Sequence, residues 1–202
     1  FVVLRAWHAI GIGQSDIGWR ILGLIVGLLI VLAAWFNARL LGYRAPVLVI
    51  ALLGLNPEIT RWGDSMRAYG LGILLLLLLF STVWKVVERP TRWRVLLAML
   101  VGVLSVQCLY YNSVVLLCVA SAGAIVCAFS RRWRDAVLVL LIGLPAALSM
   151  IPYARAIRQV NEWSSLVRIN FTFARFWELL SVVLAATHPL MVYCWLLVVI
   201  FT

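Results

Sequence analysis

The sequence predicts an all-α, polytopic integral membrane protein with about seven transmembrane helices and short cytoplasmic loops. Of its 202 residues, 65% are hydrophobic and 12% are charged, and the mean hydropathy is +1.09. A single soluble domain cannot bury that much apolar surface. Long windows without formal charge, separated by short basic segments, are the second observation that predicts this class. We therefore expect a single transmembrane domain over residues 1–202.

Four windows are long enough to cross a membrane as single helices. Each has 17 or more residues without a formal charge, about the length that a hydrocarbon core of ~30 Å requires. They are Ile21–Ala38, Ala68–Trp84, Ala136–Ala154 and Leu179–Thr202. Residues 95–130 form a longer window of 36 uncharged residues, which as one helix would be about 54 Å long. We predict two helices there, divided at Tyr110, Tyr111 and Asn112.

The window Ala45–Pro57 decides the topology. Its 13 uncharged residues make about 20 Å of helix, so it either crosses the membrane or re-enters it. Charge favours a crossing, because nine basic residues in three short loops then share one side, as is typical of cytoplasmic loops. The nine are Arg39, Arg44, Lys85, Arg89, Arg92, Arg94, Arg131, Arg132 and Arg134. This count gives seven spans.

On this topology the loop 56–68 is external and carries a cluster of charges beside an aliphatic span. Asn56 and Pro57 end their helix early, and non-helical backbone at membrane depth persists where it lines a cavity. Ionisable groups at that depth indicate a site, so we expect an external cleft lined by Glu58, Arg61, Asp64 and Arg67. The alternative is that Asp64 and Arg67, three positions apart, form an ordinary ion pair that caps the next span. Glu58 and Arg61 have the same spacing, and for them we favour this structural role.

The segment 153–177 is also external on this topology. Its aromatic residues alternate with arginines, which is typical of an interfacial helix lying on lipid headgroups. The alternative is a surface that guides a lipid phosphate toward the cleft.

The net charge of +10 follows from loop topology and contact with anionic lipid, so we expect no nucleic-acid partner. The cysteines fall inside apolar windows and are interpreted as small buried hydrophobic residues: Cys108, Cys118, Cys127 and Cys194. His8 and His188 lie far apart. We expect no cofactor and no metal site made by this chain alone, and a divalent metal held with other residues stays an alternative.

The chain starts at Phe1 without an initiator methionine and stops at Thr202 in or just after a span. We therefore expect it to be a piece of a longer polypeptide.

Four segments occur in order over roughly the first 80 residues. They are LRAW (Leu4–Trp7), GQSDIGWR (Gly13–Arg20), ARLLGYRAP (Ala38–Pro46) and NPEITRWGDSMRAYGL (Asn56–Leu71). This order resembles the multi-spanning, type C fold glycosyltransferases that use polyprenyl-phosphate sugars. That group contains the protein mannosyltransferases and the aminoarabinose lipid A transferases. Arg67 and Tyr69 match its motif, whereas Ser65 stands where the family has an acid and Asp64 lies one position earlier.

The resemblance implies transfer of a sugar from a polyprenyl-phosphate donor to a protein, lipid or glycan acceptor. The reaction would take place on the outward face of a bacterial inner membrane. The family's catalytic carboxylate lies in a first external loop, which this chain lacks, as it lacks the first span. We therefore expect the main base upstream of Phe1, with Asp64 as the candidate here. Substrate-binding candidates are Arg67, Tyr69, Arg61 and Glu58.

Two other classes of function stay open. A membrane transporter or lipid flippase would also have many spans, with an outward-facing charged cavity. A non-catalytic membrane scaffold is the third possibility, and it predicts that neither Asp64 nor Arg67 faces a cavity.

Overall fold

The computed structural model describes residues 2–9, 11, 15–43, 47, 69–155, 159, 172–183 and 193, and within these ranges every regular element is a helix. The helices are α1 (Val2–Ala9), α2 (Asp16–Leu40), α3 (Tyr69–Glu88), α4 (Arg92–Cys108), α5 (Asn112–Phe129), α6 (Trp133–Leu141), α7 (Gly143–Ser149) and α8 (Phe173–Val183), with one turn of 3-10 helix at Ile151–Tyr153.

Local sequence explains where α2 begins and ends. The hydroxyl of Ser15 accepts a hydrogen bond from the backbone N–H of Gly18, and Asp16 adds a negative charge to the first turn. At the other end Gly42 has φ +96°, and the Tyr43 N–H donates to the Ala38 carbonyl at 3.1 Å. This is a Schellman motif, in which glycine adopts the left-handed conformation without strain.

Helix α3 is the central element, because it packs against α2, α4, α5 and α6. The buried face of α3 and residues of the later helices form one hydrophobic core cluster. Several residues of this cluster are fully buried: Leu79, Val86, Ala98, Cys127, Val139 and Ile142. Small residues such as Ala98 and Ala124 let the helices approach closely, which is how helices associate in lipid.

Helices α2 and α3 run parallel. Ile30 packs against Leu74, and Asn37 donates to the carbonyl of Leu77 further along both helices. Leu40 and Tyr69 consequently lie at opposite ends of the pair. A crossing by Ala45–Pro57 predicts this arrangement, although that window lies outside the described residues apart from Val47.

From α3 onward the chain alternates in direction through short turns. Residues 89–91 join α3 to α4, residues 109–111 join α4 to α5, and residues 130–132 join α5 to α6. The bundle therefore has two ends. We call the end with Leu40, Glu88, Arg92, Phe129 and Trp133 the basic end, and the end with Asp16, Tyr69, Cys108, Asn112 and Ser149 the Tyr69 end.

Within the described ranges, three helices are long and apolar enough to cross a membrane: α2, α3 and α5. Many of their large apolar side chains point outward, including Leu24, Leu32 and Leu117, each more than half exposed. In water such a surface would be unfavourable, and in a bilayer it is the lipid-facing surface. The structure thus supports an all-helical membrane protein, while the count of seven spans stays a prediction.

The prediction that two helices share residues 95–130 is confirmed by α4 and α5. The window Ala136–Ala154 differs from expectation, because it contains two short helices and a 3-10 turn instead of one continuous helix. Pro145 in the first turn of α7 has no N–H to donate to the Leu141 carbonyl, which explains the break at Ile142. The window Leu179–Thr202 lies outside the described residues after Val183, apart from Tyr193.

The cysteines are only partly as expected. Cys127 is fully buried in the core and Cys108 is half-buried, but Cys118 is exposed. The interpretation of Cys118 as a buried residue is therefore wrong, because its side chain lines an open groove between α3 and α5. Cys194 lies outside the described residues.

Substitution of Gly123 by valine should destabilise the bundle. A Cβ there would lie 3.0 Å from a Val87 methyl carbon and 3.1 Å from a Val139 methyl carbon, so we expect a loss of about 2 kcal/mol from overpacking. The matched control is Gly27→Val, where a Cβ meets nothing within 4 Å. Thermal unfolding in detergent gives the transition temperature of each variant. Equal transition temperatures would contradict the close packing of Gly123 against Val87 and Val139.

Candidate functional site

Of the sequence-predicted site residues, the structure describes Tyr69. It is the first residue of α3 and is 36% exposed at the Tyr69 end. The other candidates lie outside the described residues, so their expected positions stay predictions: Glu58, Arg61, Asp64 and Arg67.

The turn between α4 and α5 brings two further phenols to the Tyr69 end. Tyr110 and Tyr111 are both exposed, and their ring centroids are 4.0 Å apart. A hydrogen bond with Tyr111 raises the pKa of Tyr110 above its ordinary value. Tyr110 therefore stays a neutral hydrogen-bonding group at physiological pH, at the depth where aromatic residues meet the headgroup region.

Below these tyrosines lies a buried polar cluster centred on Asn112. Its side-chain amide nitrogen is 3.0 Å from the Ser105 hydroxyl and 3.3 Å from the Ser105 carbonyl oxygen. The same nitrogen is 3.3 Å from the Gly72 carbonyl oxygen, one turn into α3 from Tyr69. Asn112 thus joins three helices at this end, and buried polar groups of this kind are stable because their partners satisfy them.

Gly72 permits this close approach. A Cβ at Gly72 would lie 2.6 Å from a Leu109 methyl carbon and 3.5 Å from the Asn112 amide nitrogen. A side chain at Gly72 would therefore require the Leu109 side chain of the α4–α5 turn to move. The first turn of α3, which carries Tyr69, is therefore positioned by a glycine contact and an amide hydrogen bond.

Other polar contacts at the Tyr69 end involve neighbouring elements. The Gln107 amide donates to the Ser149 carbonyl at 3.0 Å and joins α4 to α7. The Trp7 indole N–H donates to the Gly18 carbonyl at 3.1 Å, so α1 lies beside the start of α2. Asp16 and Arg20 form an exposed ion pair at 2.9 Å.

These groups can bind polar ligands by hydrogen bonding, but they contain no arrangement for general-base chemistry. In the described ranges, Asp16 is the carboxylate of the first turn of α2 and is paired with Arg20. The part of the chain that the structure describes brings no three His, Cys, Asp or Glu side chains together as metal ligands. A catalytic base at this end would have to come from residues beyond those described.

The sequence predicts an interfacial turn at Asn112. It did not predict the buried contacts of Asn112 with Ser105 and Gly72. It also missed the pair formed by Asn37 and Ser81, whose side-chain oxygens are 2.5 Å apart between α2 and α3. The available signal was the polarity itself, because Asn and Ser within apolar windows commonly hydrogen-bond across helices.

Comparison with known proteins places this chain in no group, because no family model, curated protein or solved structure matches it.

Replacement of Asn112 by leucine should destabilise the Tyr69 end. Leucine removes the amide and leaves the Gly72 carbonyl and the Ser105 hydroxyl without this partner, at an expected cost of about 1 to 2 kcal/mol. Thermal unfolding in detergent checks this value. Ser113→Ala is the control, because Ser113 is exposed and, among the described residues, its hydroxyl donates within its own turn to the Tyr110 carbonyl. If the two variants unfold at the same temperature, Asn112 does not join the helices.

Proposed function

We propose that the chain is part of a membrane glycosyltransferase that moves a sugar from a polyprenyl-phosphate donor to an acceptor on the extracytoplasmic face. The observation that carries the proposal is the ordered set of four segments in roughly the first 80 residues, ending in Arg67, Tyr69 and the aliphatic helix that follows them. The proposal includes seven spans and the inner membrane of a bacterium.

Two structural features support this assignment. Tyr69 opens α3 at the end of the bundle that also carries the tyrosines and amides of the α4–α5 turn. The opposite end carries eight described basic residues, and a concentration of this kind is typical of the cytoplasmic side. They are Arg39, Lys85, Arg89, Arg92, Arg94, Arg131, Arg132 and Arg134. On this orientation Tyr69 faces the outer compartment.

In the proposed reaction the acceptor oxygen or nitrogen attacks the anomeric carbon of the sugar, and the bond from that carbon to the lipid phosphate breaks. A carboxylate takes the acceptor proton, and the main carboxylate is expected upstream of Phe1. Negative charge develops on the departing lipid phosphate. Arg67 suits its stabilisation because a guanidinium binds phosphate bidentately and keeps its charge at working pH. Tyr69 can donate to a phosphate or sugar oxygen.

Arg67→Ala in the full-length protein should reduce sugar transfer by about ten- to hundredfold, because a charge-assisted hydrogen bond to the leaving phosphate is lost. Arg67→Lys should also be impaired because lysine lacks the bidentate geometry. The measurement is turnover of a polyprenyl-phosphate sugar by the purified, reconstituted protein. The control is Arg134→Ala, an exposed arginine at the basic end. Unchanged turnover of the alanine variant would exclude the phosphate-binding role of Arg67.

The proposed orientation predicts which end reacts with a membrane-impermeant maleimide. In a cysteine-free background, Tyr111→Cys should react in intact cells, because Tyr111 is 63% exposed at the Tyr69 end. Arg131→Cys at the basic end should react only after the cells are permeabilised. The reverse pattern would invert the orientation and remove Tyr69 from the outer face.

A further inference from the structure

A groove between α3 and α5 lies near the basic end. Its volume is about 340 Å³, within the range of small-ligand pockets. Its walls are almost entirely apolar, and among the residues that form them are Phe80, Trp84, Val87, Cys118, Ala122 and Val126. Its limits on α3, Phe80 and Val87, are seven positions apart, so the groove is about 10 Å long. A hydrocarbon chain fits such a surface, whereas a polar solute would find few hydrogen-bond partners there.

Aromatic side chains show how deep this groove lies. Trp93 and Trp133, in the first turns of α4 and α6, are 82% and 68% exposed, and Phe129 is 86% exposed. Trp84 at the groove donates its indole N–H to Glu88 at 3.1 Å. Exposed aromatic residues at one level of a helical bundle mark the boundary between headgroups and hydrocarbon. The groove therefore extends from this boundary into the acyl-chain region.

Positive charge is concentrated at the end of the bundle near which the groove lies. Arg132 donates to the carbonyl of Val87, a groove residue, at 2.6 Å and lies 3.4 Å from the Asp135 carboxylate. Glu88 and Asp135 are the two carboxylates among the described residues of the basic end, against eight basic residues. Four arginines form no ion pair within the described ranges: Arg89, Arg92, Arg131 and Arg134. The excess charge is complementary to an anionic headgroup.

Arg131 has a left-handed backbone conformation, which is uncommon for residues other than glycine. Its φ is +57°, and its N–H donates to the Ala128 carbonyl at 2.9 Å while the Arg132 N–H donates to the Cys127 carbonyl. These bonds end α5 in a Schellman motif whose left-handed position is usually glycine. An arginine there costs stability relative to glycine, so Arg131→Gly can remove the guanidinium without straining the turn.

We propose that the groove holds one acyl chain of an anionic phospholipid, whose phosphate binds at the arginines of the α5–α6 turn. The apolar wall excludes water from the chain, and the boundary marked by the tryptophans sets the headgroup at the level of Arg131 and Arg132. Basic pockets between transmembrane helices bind anionic lipid in this way. The site is independent of the proposed transferase activity and of the membrane orientation.

The test is native mass spectrometry of the purified full-length protein titrated with phosphatidylglycerol or with phosphatidylcholine of the same acyl chains. The wild type should retain phosphatidylglycerol preferentially, and excess inorganic phosphate should not displace it. Arg131→Gly should weaken phosphatidylglycerol binding about fivefold, while its thermal stability in lipid-free detergent is unchanged or higher. Equal retention of the two lipids by the wild type, or full binding by Arg131→Gly, would overturn the headgroup site.

A second pair of variants tests the groove itself. Ala122→Phe fills the wall of the groove and should abolish the preferential retention of phosphatidylglycerol. Ala147→Phe makes the same change at an exposed alanine of α7 outside the groove and should leave retention intact. A wild type without bound lipid would mean that another part of the protein covers the groove, and that result would also overturn the proposal.

Discussion

Side chains from α2, α5 and the α5–α6 turn donate hydrogen bonds to backbone carbonyls along α3, and the arrangement of the bundle depends on these hydrogen bonds. Asn112 of α5 reaches the Gly72 carbonyl, Asn37 of α2 reaches that of Leu77, and Arg132 after α5 reaches that of Val87. In hydrocarbon no water can replace a lost partner, and apolar side chains gain little by leaving lipid for one another. Directional polar contacts combined with close packing therefore fix which helix faces which.

The bond from Arg132 differs from the two amide bonds because it lies at the boundary of the membrane and carries charge. Its partner carbonyl belongs to Val87, and the last turn of α3 has carbonyls without intrahelical partners. Arg94 has a similar role, since its guanidinium donates to the carbonyls of Lys85 and Arg89 at 2.9 and 3.2 Å. Both arginines stabilise the carboxyl end of α3, where a positive charge also interacts favourably with the negative end of the helix dipole. Arg94 and Arg132 thus have a structural role at the basic end.

The sequence was sufficient to predict the helices that are defined by charge and length. The window Ile21–Ala38 became α2, which is longer because Ser15 and Asp16 begin the helix outside the uncharged stretch. The division of residues 95–130 followed from length alone. The break before Pro145 follows from the proline, which an uncharged window can contain without a change in its charge or length. Local patterns thus define helices in lipid more reliably than they define interruptions within them.

Packing between helices could not be predicted in the same way. An apolar helix in a membrane shows hydrophobic residues on every face, so the sequence does not distinguish buried Cys127 from exposed Cys118. The partners of Asn37 and Asn112 on α3 lie 40 or more positions away in the chain. Glu58, Arg61, Asp64 and Arg67 lie outside the described residues, so the candidate site rests on sequence for its charges and on structure for Tyr69.

The dimensions of α3 separate the two proposed sites. Its 20 residues make about 30 Å of helix, equal to the thickness of the hydrocarbon core. The groove occupies the part from Phe80 to Val87, and about 16 Å of helix lies between Phe80 and Tyr69. A phospholipid anchored by phosphate at the basic end therefore has its headgroup at the opposite interface from Tyr69. If both proposals hold, the lipid in the groove and the sugar donor expected near Tyr69 are therefore different molecules.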